Sequence, residues 1–103
     1  MKPGQKPPQS LIFPDGQEKE LKYWNDILIT TARWALPKLK VIGKLPLDRK
    51  AGRYLIHSSQ MIRRFLDDNW WLETNFSART CVRWACYILE QAGVNPEDVK
   101  VTF

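Results

Sequence analysis

The stretch from Ser77 to Gly93 constrains this chain most, because it carries a start signal, a stop signal and an apolar stripe between them. Ser77 offers a side-chain acceptor where a first helical turn has unpaired N–H groups, and Gly93 tolerates the left-handed conformation that closes a helix. Phe76 is spaced to staple onto Cys81. Cys81, Ala85, Ile88, Leu89 and Ala92 recur at helical spacing, with Arg79, Arg83 and Glu90 on the opposite face. The spacing predicts a helix over Ala78–Ala92. Its stripe has to be buried against something else.

The neighbouring segments read as strands. Trp70–Thr74 is bulky and follows the turn chemistry of Asp67-Asp68-Asn69, and Val99–Phe103 reads as a closing strand after Asn95-Pro96. Near the amino end, Ser10–Phe13, the turn Pro14-Asp15-Gly16 and the polar Gln17–Lys22 read as a hairpin whose second strand suits a sheet edge. A second main helix is predicted over Asn25–Leu36. Asn25 caps it, Asp26 complements its positive end, Trp24 staples onto Ile29, and Pro37 stops it. Its inward positions are Ile27, Leu28, Thr31, Trp34 and Ala35.

Residues 37–52 read as a long loop with a short strand at Lys40-Val41-Ile42. Arg53–Ile56 reads as a strand, and Ser58 or Ser59 as the cap of a short helix through Met61, Ile62, Phe65 and Leu66. With 103 residues, 44% of them hydrophobic and five of them Trp, there is room for one core. The expected fold is α+β: a small four- to five-stranded sheet with two main helices packed mainly on one face, in the order ββα-loop-βα-βα-β. Residues 1–9 are expected to form a flexible, basic, Pro-rich arm, and 10–103 a single domain. Arg33-Trp34-Ala35 is echoed by Arg83-Trp84-Ala85, a match too short to establish a repeat.

Charge is unevenly placed. The net charge is +5, yet Arg33, Lys38, Lys40, Lys44, Arg49, Lys50 and Arg53 face only Asp48 within their stretch, a local balance of +6. Cations gathered on a loop suit a polyanion, because each neutralised phosphate releases counterions. Arg63, Arg64, Arg79 and Arg83 would extend such a surface. The expectation is a non-catalytic basic module that contacts nucleic acid, DNA or RNA, as an accessory to a larger machine. The alternative is a protein-interaction or oligomerisation module that uses an exposed aromatic such as Trp71, or the edge strand near Gln17–Lys22.

Several chemistries are weighed and set aside. Pro14-Asp15 followed by Glu20-Leu21-Lys22 imitates the PD…ExK order of a large nuclease superfamily. Five residues of extended strand would hold the two carboxylates roughly 16 Å apart, too far to share an ion. His57 beside Ser58 lacks an orienting acid, and adjacent strand side chains point to opposite faces. Cys81 and Cys86 fall about 140° apart on a helix, so they cannot bridge. No zinc spacing, glycine-rich phosphate loop or apolar run of about 20 residues is present. The expectation is therefore no enzyme, no cofactor, no metal, no membrane and a cytoplasmic location.

Overall fold

The structure is a computed structural model and describes residues 8–48, 54–58, 64–67, 70–74 and 76–102. Its first hairpin follows the reading: Ser10–Ile12 (β1) pairs antiparallel with Glu18–Glu20 (β2), Leu11 opposite Lys19. The turn closes because Gly16 takes φ +89° and its N–H donates to the Phe13 carbonyl at 2.9 Å. Leu11 and Phe13 are buried, whereas all of β2 is exposed at the sheet edge. Residues 1–7 of the expected arm lie outside the described residues. Pro8 is buried, and Gln9 donates its N–H to the Thr102 carbonyl at 2.7 Å, so these two belong to the domain.

The first helix, Trp24–Val41 (α1), differs from expectation at both ends. Asn25 is not its cap. Tyr23 takes that place, and the Asp26 carboxylate reaches back to accept the Lys22 and Tyr23 N–H groups, both at 2.9 Å. Trp24 is thus the first helical residue rather than the outer half of a staple, and it packs against the core.

Pro37 does not end the helix. A proline inside a helix costs roughly 3 kcal/mol through its missing N–H and its clash with the preceding turn. Continuing the helix buries Leu39 completely, an effect of about 1.5–3 kcal/mol that offsets most of this cost. Pro37 and Arg33 are both exposed, so the proline ring lies on the outer face of the helix, away from the core. Lys40-Val41-Ile42 is accordingly the helix end and not a strand. Gly43 at φ +71° closes it, with the Lys44 N–H donating to the Leu39 carbonyl at 2.9 Å.

Leu47–Asp48 (β3), Tyr54–His57 (β4), Arg64–Asp67 (β5) and Trp70–Leu72 (β6) follow. The helix expected through Phe65 and Leu66 is therefore a strand over its described part; residues 59–63 lie outside it. A short apolar run has no periodicity to separate the two states, and pairing with β6 decides for the strand. The second helix, Ala78–Gln91 (α2), starts as read: the Ser77 hydroxyl accepts the Thr80 N–H at 3.3 Å. Cys81, Ala85, Ile88 and Leu89 are buried as expected, and Ala92 is half-buried. A 3-10 turn, Pro96–Asp98, leads into Lys100–Thr102 (β7).

The single sheet is not found among the described residues. Two antiparallel sheets form instead, β2-β1-β7 and β3-β4-β6-β5, and α1 packs against α2. In each sheet an inner strand takes one partner from the strands before the same helix and one that follows the other helix. β1 pairs with β2 and with β7, which follows α2. β4 pairs with β6 and with β3, which follows α1.

The Arg-Trp-Ala echo is thereby part of a longer equivalence. At a constant separation of fifty residues, Leu39 and Leu89, Gly43 and Gly93, Pro46 and Pro96, and Asp48 and Asp98 also coincide. Both arginines are exposed, both tryptophans half-buried and both alanines buried. The two helices also close alike, with Gly93 at φ +79° and the Val94 N–H donating to the Leu89 carbonyl at 2.8 Å. Two strands precede α1 and three, β4 to β6, precede α2, and the strand that follows each helix joins the sheet formed by the strands before the other.

Candidate functional site

The basic stretch is mainly helical rather than a loop where it is described. Arg33, Lys38 and Lys40 are exposed on α1, and exposed Lys44 follows its closing turn. At about 100° per residue, Arg33 and Lys40 fall within about 20° of each other, but Lys38 lies some 160° from Lys40. The three cations therefore do not form one track. Arg79 and Arg83 are exposed on α2, and Arg64 lies in β5. Arg49, Lys50, Arg53 and Arg63 are outside the described residues.

Lys38 has local work. Its Nζ sits 5.0 Å from the centre of the Trp34 ring, which is itself stacked on Phe13 with centroids 4.4 Å apart and planes 8° from parallel. The Trp34 Nε1–H donates to Asp15 at 3.0 Å, and Asp15 also accepts the Gln17 backbone N–H at 3.0 Å. These donors hold the Asp15 carboxyl below its ordinary value, the Gln17 backbone N–H most and Trp34 next, with a smaller contribution from the Lys38 charge. Asp15 is thus more than a turn residue, although it bridges to Trp34 and not to Glu20. Lys38 faces Asp15 and Asp98 across a shared groove, which lessens its value to a polyanion. Lys38 and Lys40, in the last turn of α1, also complement the helix's negative end.

The surface missed by sequence reading lies next to these lysines. Pro37, Lys38, Val41 and Ile42 from the end of α1 meet Ala92, Gly93 and Val94 from the end of α2 in a groove of about 430 Å³. Val41 is 86% exposed and Ile42 49%, high values for β-branched apolar side chains. Helical geometry places Val41 between Lys38 and Lys40 around the axis, about 60° from one and 100° from the other. The equivalent position in α2 holds Gln91, and the Lys40 equivalent is Glu90. The same backbone closure is thus made at α2 with a polar residue, so the fold does not require an apolar one at 41. The signal available in the sequence was this pair of aligned helix ends, Val41-Ile42-Gly43 against Gln91-Ala92-Gly93. It became visible only once α1 was known to run through Pro37.

Trp71 is half-buried and therefore not the open platform expected. It stands opposite His57 on β4 and opposite Phe65 on β5. Trp70 packs against the core. In β3–β4 the pairing slips by one residue, Leu47 facing Ile56 but Asp48 facing Tyr54, and both Leu55 and Ile56 become fully buried. The Tyr54 and His57 rings then meet at 4.5 Å. His57 is thus part of an aromatic face and Ser58 is exposed beside it. Asp67, closing β5, is in register with Trp70.

Cys81 is buried and Cys86 half-buried, both as free thiols. Burial raises both above the ordinary thiol value, and the Glu90 charge adds to the effect at Cys86. Neither is activated as a thiolate. Tyr87 donates its hydroxyl to the Asp48 carbonyl at 2.8 Å, and burial followed by the Asp48 charge raises its phenol. Among the described residues no group of three or more His, Cys, Asp or Glu is placed to hold a metal ion, and no helix is long and apolar enough to cross a membrane. Comparison with protein-family models, curated proteins and solved structures returns no match.

Proposed function

We propose that this domain is a non-catalytic binding module whose partner is a protein, held at the end of α1. The observation that carries the reading is the 86% exposure of Val41 beside Ile42, at a helix end whose counterpart in α2 carries Gln91. Apolar side chains gain from burial against another apolar surface and gain nothing from a phosphodiester backbone. The β2 edge presents only Glu18, Lys19 and Glu20, the kind of charged edge that discourages pairing.

A nucleic-acid ligand is the second reading, favoured by Arg33 and Lys40 on one stripe of α1 and by exposed Arg79 and Arg83 on α2. Fluorescence anisotropy with labelled single-stranded DNA, duplex DNA and RNA over a salt series separates the two. The protein reading expects no more than weak binding at low salt. A log–log slope of about −3 to −6, abolished by reversing Lys38, Lys40, Lys44 and Lys50 to Glu in a folded variant, would overturn it in favour of nucleic acid.

A further inference from the structure

We infer that the groove between the two helix ends receives an acidic amphipathic helix of a partner protein. The inference rests on the protein-binding reading above and specifies the partner's chemistry. The groove's lining is mostly apolar: Pro37, Val41 and Ile42 on one side, Ala92 and Val94 on the other. Every lining residue comes from α1 or from the turns that close α1 and α2, and none from a strand, so an extended partner finds no open edge to pair with there. A helix needs no such edge, because its backbone bonds are internal and it presents apolar side chains at i, i+3, i+4 and i+7 to a groove.

The charge at the rim sets the sign of the partner's flanks. Lys38 lines the groove, and exposed Lys40 and Lys44 flank it along the chain. Asp15 and Asp98 line the adjoining groove, which shares Lys38 with this one, and exposed Glu90 flanks the α2 side, so the described charges along the rim are three ammonium groups against one carboxylate. A helix with carboxylates beside its apolar stripe thus meets ammonium groups at the rim, and a basic helix meets repulsion. The α2 end supplies the internal contrast, with Glu90 and Gln91 where α1 has Lys40 and Val41.

The test is selection from a displayed library of random peptides about 16 residues long, enough for four turns of helix. Wild-type protein and the Val41→Gln/Ile42→Gln variant are used in parallel. Both substituted positions are exposed, and circular dichroism with a thermal melt checks that the variant folds. Enrichment of peptides with apolar residues at helical spacing and flanking Asp or Glu is expected on wild type. Synthetic copies should bind the variant about tenfold or more weakly. Nuclear magnetic resonance titration of wild type should move Val41, Ile42, Ala92 and Val94, a readout independent of any variant. Lys40→Glu/Lys44→Glu should weaken the acidic peptides and favour the same peptides with Glu changed to Lys.

Peptides that bind this groove but are basic, uncharged or extended would overturn the inference and leave the protein-binding reading standing. Peptides that bind only elsewhere, or no enrichment at all, would overturn both. Binding to phosphatidylserine vesicles that depends on Val41, with no peptide binding, would assign the groove to a lipid surface. A concentration-dependent dimer that disappears in the double variant would assign it to a second copy of this chain.

Discussion

The ends of α1 and α2 share a backbone and differ in what they show to solvent. Each helix buries a leucine, Leu39 or Leu89, and then ends on a residue with ψ near zero. Each closes with a left-handed glycine and a main-chain bond back to that leucine's carbonyl. Around this common frame α2 places Glu90, Gln91 and Ala92, whereas α1 places Lys40, Val41 and Ile42. Pairing the two ends separates residues that make the closure from residues that are free to serve another purpose. What recurs at both ends is structural. What appears at one end, exposed and apolar, is available for binding.

The comparison is tested most severely at the shared leucines. Leu39→Ala and Leu89→Ala should each lower stability by about 2–5 kcal/mol in urea denaturation. Leu39→Ala should be the worse of the two, because Leu39 also draws α1 past Pro37. A smaller loss at Leu39 would mean that another contact carries the helix through the proline. The glycines come next. Gly43→Ala and Gly93→Ala place a Cβ at positive φ, where the backbone alone costs roughly 1–2 kcal/mol. Beyond the adjoining residues, no heavy atom lies within 4 Å of either added Cβ, so the two losses should be alike. Unequal losses would break the equivalence of the closures.

A smaller, pH-dependent effect is expected at Asp15, which ties Trp34 to the hairpin turn and has no described counterpart around Trp84. Its folded carboxyl sits below the ordinary value of 3.8, so its stabilisation is fully present above that pH and fades as pH falls through the folded value. Asp15→Asn should therefore be less stable than wild type at neutral pH, with the difference shrinking in acid melts below pH 3.8. A difference that grows in acid would contradict the assignment. The smallest stability effect is expected at the last helical residues, exposed Val41 and half-buried Gln91: Val41→Gln and Gln91→Val should each stay within about 0.5 kcal/mol of wild type. A large loss for Val41→Gln would show that Val41 serves the fold after all.

How far the sequence could be read depended on where the deciding interaction was. The carboxy-terminal helix was legible because its cap, stripe and stop are all local: Ser77 reaches Thr80, and Gly93 turns on its own backbone. The first hairpin was legible for the same reason, through Pro14-Asp15-Gly16. Local rules failed at Pro37, where the burial of Leu39 offset most of the proline's cost, and at Phe65-Leu66, where pairing with β6 outweighed a helical reading. The basic stretch was visible as composition. That Lys38 turns toward Trp34 and Asp15 while Lys40 points away was not, because α1 was expected to stop before either lysine.

The sequence by itself determined that this chain is an α+β protein with two main helices and a charged edge strand, since caps, turns and alternation act over a few residues. Only the tertiary structure decided that the strands divide into two sheets and that the strand after each helix joins the sheet formed by the strands before the other. It also brought the ends of α1 and α2 together around Val41 and Ile42. Those outcomes rest on pairings and burial between segments dozens of residues apart, and free energy of that kind has no local signature in the chain.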